Sequence, residues 1–154
     1  MLYRRTFTTG GLGPEQAVNP YTADPIWNNV ATGSGQTYQG ALPNFYNELS
    51  SLTGMAYRDG RLYYTVVADS SLHWVGFSPE SGIVTPERYD VPGVSLPGTR
   101  GLVLSGDDLY TTTDEGNLTK RPWNNGSPGT TSTTVSGPTI DGIDWRARAL
   151  FVGP

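Results

Sequence analysis

Internal repetition constrains this chain more than any other feature. The segments GMAYRDGRLYYT (54–65), GLVLSGDDLYTT (101–112) and GIDWRARALFV (142–152) align without a gap. Gly54, Gly101 and Gly142 each stand eight residues before a leucine (Leu62, Leu109, Leu150), and an aromatic residue follows each leucine. Apolar and polar residues alternate on either side of Asp59-Gly60 and Gly106-Asp107, which predicts a pair of antiparallel strands joined by a tight turn. A second pattern also recurs: LYRRTF (2–7), LHWVGF (72–77) and LTKRPW (118–123) each run from a leucine to an aromatic residue five positions on. A Gly/Pro turn and a β-rich run follow each copy, in TGGLGPEQAV (9–18), PESGIVTPERYDV (79–91) and NGSPGTTSTTV (125–135). If the first pattern supplies strands one and two and the second supplies strands three and four, the order along the chain is 3-4, 1-2-3-4, 1-2-3-4, 1-2.

Four antiparallel strands recurring about every 40–47 residues match the period of β-propeller blades. The expected fold is therefore all-β: a single domain over 1–154, holding three blade-equivalents, with one blade split between the termini. A β-sandwich with accidental similarity is the rival. Three blades do not close a ring on their own, since propellers have about four to eight. An open 1-2 edge at one end and an open 3-4 edge at the other form a head-to-tail interface. Two chains would then close a six-bladed homodimer through two composite blades, in which Leu150, Phe151 and Val152 pair with the strand that begins at Leu2. The residues expected at this closure are Leu2, Tyr3, Arg4, Arg5, Trp145, Arg148, Leu150, Phe151 and Val152. The alternative is that the chain is a piece of a longer propeller.

Composition agrees with a strand-and-turn architecture. Glycine (20) and proline (12) are abundant, and nine tyrosines and four tryptophans stand in a chain of only 36% apolar residues. No window approaches the roughly 18 consecutive apolar residues of a membrane span, and MLYRRTFTTGG has no apolar stretch after its arginines, so neither a membrane partner nor an export signal is expected. A net charge of −4 and a pI near 4.8 argue against a nucleic-acid partner. The absence of cysteine excludes disulfides and thiolate metal sites, and the single histidine, His73, leaves no histidine cluster and no Ser/His relay. No metal and no cofactor are expected. His73 reads as a packed strand residue, and GSGQTYQG lacks the Lys-Ser/Thr ending of a phosphate loop.

Several blocks taken together, LYRRTF, DPIWNNVATGSGQTYQG, GMAYRDGRLYYT, FSPESGIV and SGPTIDGIDWRARALF, carry a resemblance that covers nearly the whole chain. The sequence resembles the propeller-type repeat region near the C-terminus of large secreted actinobacterial proteins that often also carry PKD domains. That resemblance implies an extracellular, glycan-related binding module with no known reaction. In such proteins a strand pair usually precedes the LYRR block.

Chemistry is expected in an insertion. Leu72 and Leu118 are 46 residues apart, but Leu2 and Leu72 are 70 apart, so about two dozen extra residues fall within the loop region 19–49. Aromatic faces beside amide side chains suit sugar rings, whose C–H faces pack on Trp or Tyr while their hydroxyls need polar partners. Trp27, Asn28, Gln36, Tyr38 and Tyr46 are the candidates; the competing reading is a cap that buries its own aromatics. Asp144 stands where the aligned strands have Ala56 and Val103, and Arg146 and Arg148 follow at alternate positions, all three on one strand face. Asp144 and Arg146 are either ligand contacts or an ion pair fixing the closure. A glycosidase needs two carboxyls about 5–9.5 Å apart, one with a raised pKa, and Asp141 with Asp144 is the pair to test. The expected function is non-catalytic: binding of carbohydrate or cell-envelope glycan. A glycoside-active propeller and a pure protein-interaction scaffold are the alternatives.

Overall fold

The computed structural model describes residues 2–18, 45–79, 84–85, 87–146 and 150, and the fold is nearly all β. Helical structure among these residues is one turn, α1 (Phe45–Glu48), followed by a 3-10 turn (Leu49–Ser51). Two antiparallel meanders dominate. The first is β5 (Leu52–Arg58), β6 (Arg61–Val66), β7 (His73–Gly76) and β8 (Tyr89–Asp90), hydrogen-bonded in that order. The second is β9 (Thr99–Ser105), β10 (Asp108–Thr113), β11 (Leu118–Asn124) and β12 (Ser127–Pro128), with β13 (Thr133–Ser136) also on β11.

The first hairpin of each meander has the same register. Tyr57 faces Leu62 and Ala56 faces Tyr63 in one; Leu104 faces Leu109 and Val103 faces Tyr110 in the other. Both turns are two residues long but use different chemistry. Asp59 (φ 50°) and Gly60 (φ 76°) are both left-handed, as a type I′ turn demands. In the second hairpin only Gly106 (φ 56°) is left-handed, which fits type II′. Each inner strand also carries a bulge just before its glycine: the register shifts between Leu52 and Gly54, and opposite Thr112 and Thr113 between Thr99 and Gly101. Thr53 and Arg100 are the extra residues.

A third segment shares the pairing of the outer strands. Leu2–Arg4 (β1) pairs with Gln16–Val18 (β4), and Phe7–Thr8 (β2) with Gly11–Leu12 (β3). Phe7 faces Leu12 as Phe77 faces Val84 and as Trp123 faces Pro128. The adjoining bonds recur as well: the Gly13 amide donates to Thr6 (2.8 Å), Thr85 to Gly76 (2.9 Å) and Gly129 to Pro122 (2.7 Å), all carbonyl acceptors. Where the meanders continue inward from β7 and β11 to a second strand, β1 has no strand on its other edge among the described residues.

Packing follows from strand alternation. On β6, Leu62, Tyr64 and Val66 point to one face, and Tyr63 to the other. Tyr63 joins Leu72, Val91, Leu96, Leu102, Leu109 and Trp123 in a core between the two sheets, with the Tyr63 and Trp123 rings edge to face at 4.8 Å. Leu62, Tyr64 and Val66 join Phe45, Val75 and Val84 in a second core that α1 helps to cover. The recurring glycine has a packing reason. A Cβ on Gly54 would lie 2.7 Å from both the Cβ and the backbone nitrogen of Leu102, so β5 and β9 lie side by side only because residue 54 has no side chain.

The same contact relocates the third copy of the first pattern. The gap-free alignment puts Gly142 in the place of Gly101, but Gly142 is left-handed (φ 79°) at the end of a turn over 138–142, and a Cβ there would meet nothing. It is Leu150 that lies against Gly101, as Leu102 lies against Gly54. The Trp145 amide, in turn, donates to Gly116 (3.0 Å) much as Leu96 donates to Ser70 (2.6 Å). Both contacts put the matching stretch about seven residues later than the alignment does. Residues 143–146 are accordingly not a strand, and Asp144 and Arg146 do not alternate on a sheet face. The expected pairing of Phe151 and Val152 with the Leu2 strand, and the position of Arg148, lie outside the described residues.

Candidate functional site

A cavity of about 290 Å³ opens between the two sheets, at the end where β5 and β9 begin. Its wall includes the bulge residues Thr53 and Arg100, Val67 and Asp69 after β6, Leu96 before β9, and Asp114 after β10. The strand plan therefore delivers residues from both meanders to one spot, and the bulges turn Thr53 and Arg100 out of the ladder toward it.

The two bulge residues make different use of their place. In the first meander the Thr53 and Thr65 hydroxyls are bonded at 2.8 Å. In the second, Thr112 is the counterpart of Thr65 and is fully buried, residue 100 is arginine, and the Thr112 hydroxyl has no partner among the described residues. A buried polar group left unpaired costs about 1–3 kcal/mol. Neither the Arg100 guanidinium nor the Asp114 carboxylate has a hydrogen bond or ion pair among the described residues. Asp114 is held by its backbone: its amide donates to Gly98 (2.8 Å), and Gly98 is left-handed (φ 66°) where a Cβ would collide with the carboxylate.

Asp69 is oriented by a chain of polar groups running from α1. Its Oδ1 accepts from the Ser71 amide (2.8 Å) and lies 3.1 Å from His73 Nε2. His73 is completely buried in β7, as the sequence suggested, and its Nδ1 lies 2.6 Å from Asp90 Oδ1. Asp90 is 3.9 Å from Arg88, which bonds Glu48, and Glu48 accepts the Tyr64 hydroxyl at 2.6 Å. Burial, with the bond to Glu48, pushes the Tyr64 hydroxyl far above its ordinary pKa, so it stays a donor. Burial alone would raise the Asp69 carboxyl, but the Ser71 amide and His73 outweigh it and hold Asp69 below the usual carboxylate value. Asp69 thus presents an ionised, fixed carboxylate to the cavity.

The residues expected from sequence to bind ligand are mostly not described. Trp27, Asn28, Gln36 and Tyr38 lie outside the described residues, and Tyr46 is in α1. Asp144 and Arg146 form a local exposed pair: Arg146 Nε donates to both carboxylate oxygens (3.0 and 2.9 Å), and the Arg146 amide donates to Oδ1 (3.0 Å). Arg5, expected at the closure, pairs across its own hairpin with Glu15 at 2.8 Å. The Trp145 indole donates to Ser136 Oγ at 2.5 Å. Bonds from Ser136 and the Gly137 amide lower Asp141, and Arg146 lowers Asp144, so neither carboxyl is raised to donate a proton. Among the described residues no group of three or more His, Asp or Glu side chains is placed to hold a metal ion.

The sequence contained a trace of the cavity. Aligning the two complete units puts Arg100 opposite Thr53 and Asp114 opposite Val67, two charges in positions that are uncharged in the sister unit. Comparison with known proteins gives no identity for the chain: no family model, no curated protein and no solved structure matches it.

Proposed function

We propose that the chain is a β-propeller segment acting as a non-catalytic, carbohydrate-binding module that completes itself with a second copy. The observation that carries the propeller reading is the side-by-side packing of β5 and β9 at Gly54, the first strands of a four-stranded and a five-stranded antiparallel sheet. Inner strands gathered about an axis need such close approach. The same contact recurs at Gly101 with Leu150, one unit further on.

Self-completion is supported by the N-terminal hairpin. It has the outer-strand pairing of the two meanders but no inner strands of its own among the described residues, and it leaves Tyr3 and Leu12 half or more exposed. Leu150, which lies against Gly101, marks one side of a composite sheet that the hairpin of a second copy joins. Two such junctions close a six-bladed homodimer.

Binding is supported by the cavity at the inner-strand ends, where Asp69, Asp114 and Arg100 offer acceptors and donors suited to hydroxyls. The extracellular setting implied by the resemblance accords with a glycan ligand. Titration of tryptophan fluorescence with a panel of oligosaccharides tests the reading: saturable, sugar-dependent change is expected, and none across the panel would leave a scaffold without a carbohydrate ligand.

A further inference from the structure

We propose that the cavity between the two sheets is a subsite for an amino sugar, a pyranose bearing a free ammonium group, held by Asp69, Asp114 and Arg100. The inference rests on the carbohydrate-binding reading and gives it a place and a ligand class. Three observations carry it. First, size: about 290 Å³ lies at the small end of the roughly 300–1,000 Å³ typical of ligand pockets, which suits one sugar ring rather than a chain. Second, charge: two carboxylates face one guanidinium, a surplus of one negative charge in a protein of net charge −4. An ammonium group neutralises that surplus, while the guanidinium calls for acceptor oxygens that a bare cation lacks and ring hydroxyls provide. Third, two of the three charged cavity groups are unspent. Arg100 and Asp114 have no side-chain partners among the described residues, and arginine stands where the sister unit has a threonine bonded to its neighbour. Residues that break a local rule without a local return point to a function elsewhere.

The division of labour is specific. Asp69, fixed by Ser71 and His73, and Asp114, fixed at Gly98, accept from the ammonium and an adjacent hydroxyl. Arg100 donates to hydroxyl oxygens and serves any sugar in the cavity.

Isothermal titration of the full chain with glucosamine, glucose and N-acetylglucosamine, at a pH where the glucosamine amine is protonated, tests this. Glucosamine should bind about tenfold or more tighter than the other two, as expected for a charge-assisted contact. Asp114→Asn should erase that preference, and Arg100→Ala should weaken all three sugars by about tenfold. Both residues are exposed, so unchanged melting confirms that each variant is folded. Equal affinity for the three sugars, or a glucosamine preference that survives Asp114→Asn, overturns the proposal. Sugar binding that neither variant alters also overturns it, while leaving the carbohydrate reading intact with its site elsewhere. Failure of every sugar and of the oligosaccharide panel removes both.

Discussion

The two meanders are built on one strand plan and are finished differently. The first is covered on both faces: Tyr63 packs toward the second sheet, while Leu62, Tyr64 and Val66 pack under Phe45 and Val84. Its inner bulge is occupied by Thr53, whose hydroxyl closes a bond to Thr65. The second sheet offers Leu102, Leu109 and Trp123 to the shared core, and its bulge holds Arg100 instead. There the buried Thr112 hydroxyl goes unpaired and a charge is set free at the cavity. Equivalent positions thus hold a bonded hydroxyl in one unit and a charged side chain at the cavity in the other.

The largest effect should come from the core that joins them. Trp123→Ala removes a 7% exposed ring from the interface, and a loss of about 3–5 kcal/mol is expected in denaturant unfolding. A loss under about 1 kcal/mol would mean that the two sheets do not rely on each other.

Gly54→Ala comes next. The added Cβ meets Leu102 at 2.7 Å, and overpacking of this kind costs about 1–3 kcal/mol. The same substitution at Gly142, where a Cβ meets nothing, should cost only the strain of its left-handed φ. No cost at Gly54 would refute the side-by-side packing of β5 and β9.

Arg100→Thr makes the second bulge resemble the first. It should restore a hydroxyl pair to Thr112 and stabilise the protein by about 1 kcal/mol, while removing the cavity's only guanidinium among the described residues. Unfolding and sugar titration on the same variant should move in opposite directions. Loss of stability would show that Arg100 serves the sheet and not the cavity.

The smallest effect is a pH dependence. Asp69 has a folded pKa below its ordinary 3.8, so its stabilising contribution is complete above that value and is lost as the pH falls through the lowered one. Asp69→Asn should flatten the acid side of the stability curve. An acid limb equally steep in the variant would rule out Asp69 as a contributor.

Much of the fold was legible in the sequence because its signals are local. Alternation around Asp59-Gly60 and Gly106-Asp107 fixes two hairpins, and the Leu-to-aromatic spacing locates the strands that follow. Residues 143–146 form no strand although the repeat pattern puts one there, because a glycine eight residues before a leucine looks alike whether it permits close packing, as at Gly54, or a left-handed turn, as at Gly142. Only the neighbouring backbone distinguishes the two. The cavity was hidden for a similar reason. Asp69, Arg100 and Asp114 each sit beside turns, where charged residues are common on backbone grounds, and they converge only when two sheets pack. The aromatic-rich insertion, by contrast, suggests a sugar site by its composition alone.

The central claim is that the chain is completed by a second copy at the edge of β1 that has no strand among the described residues, and the solution mass by sedimentation equilibrium tests it most directly. A folded particle of about twice 16.6 kDa is predicted. A folded particle of 16.6 kDa that persists as concentration rises would contradict it, because β1 would then be satisfied within one chain.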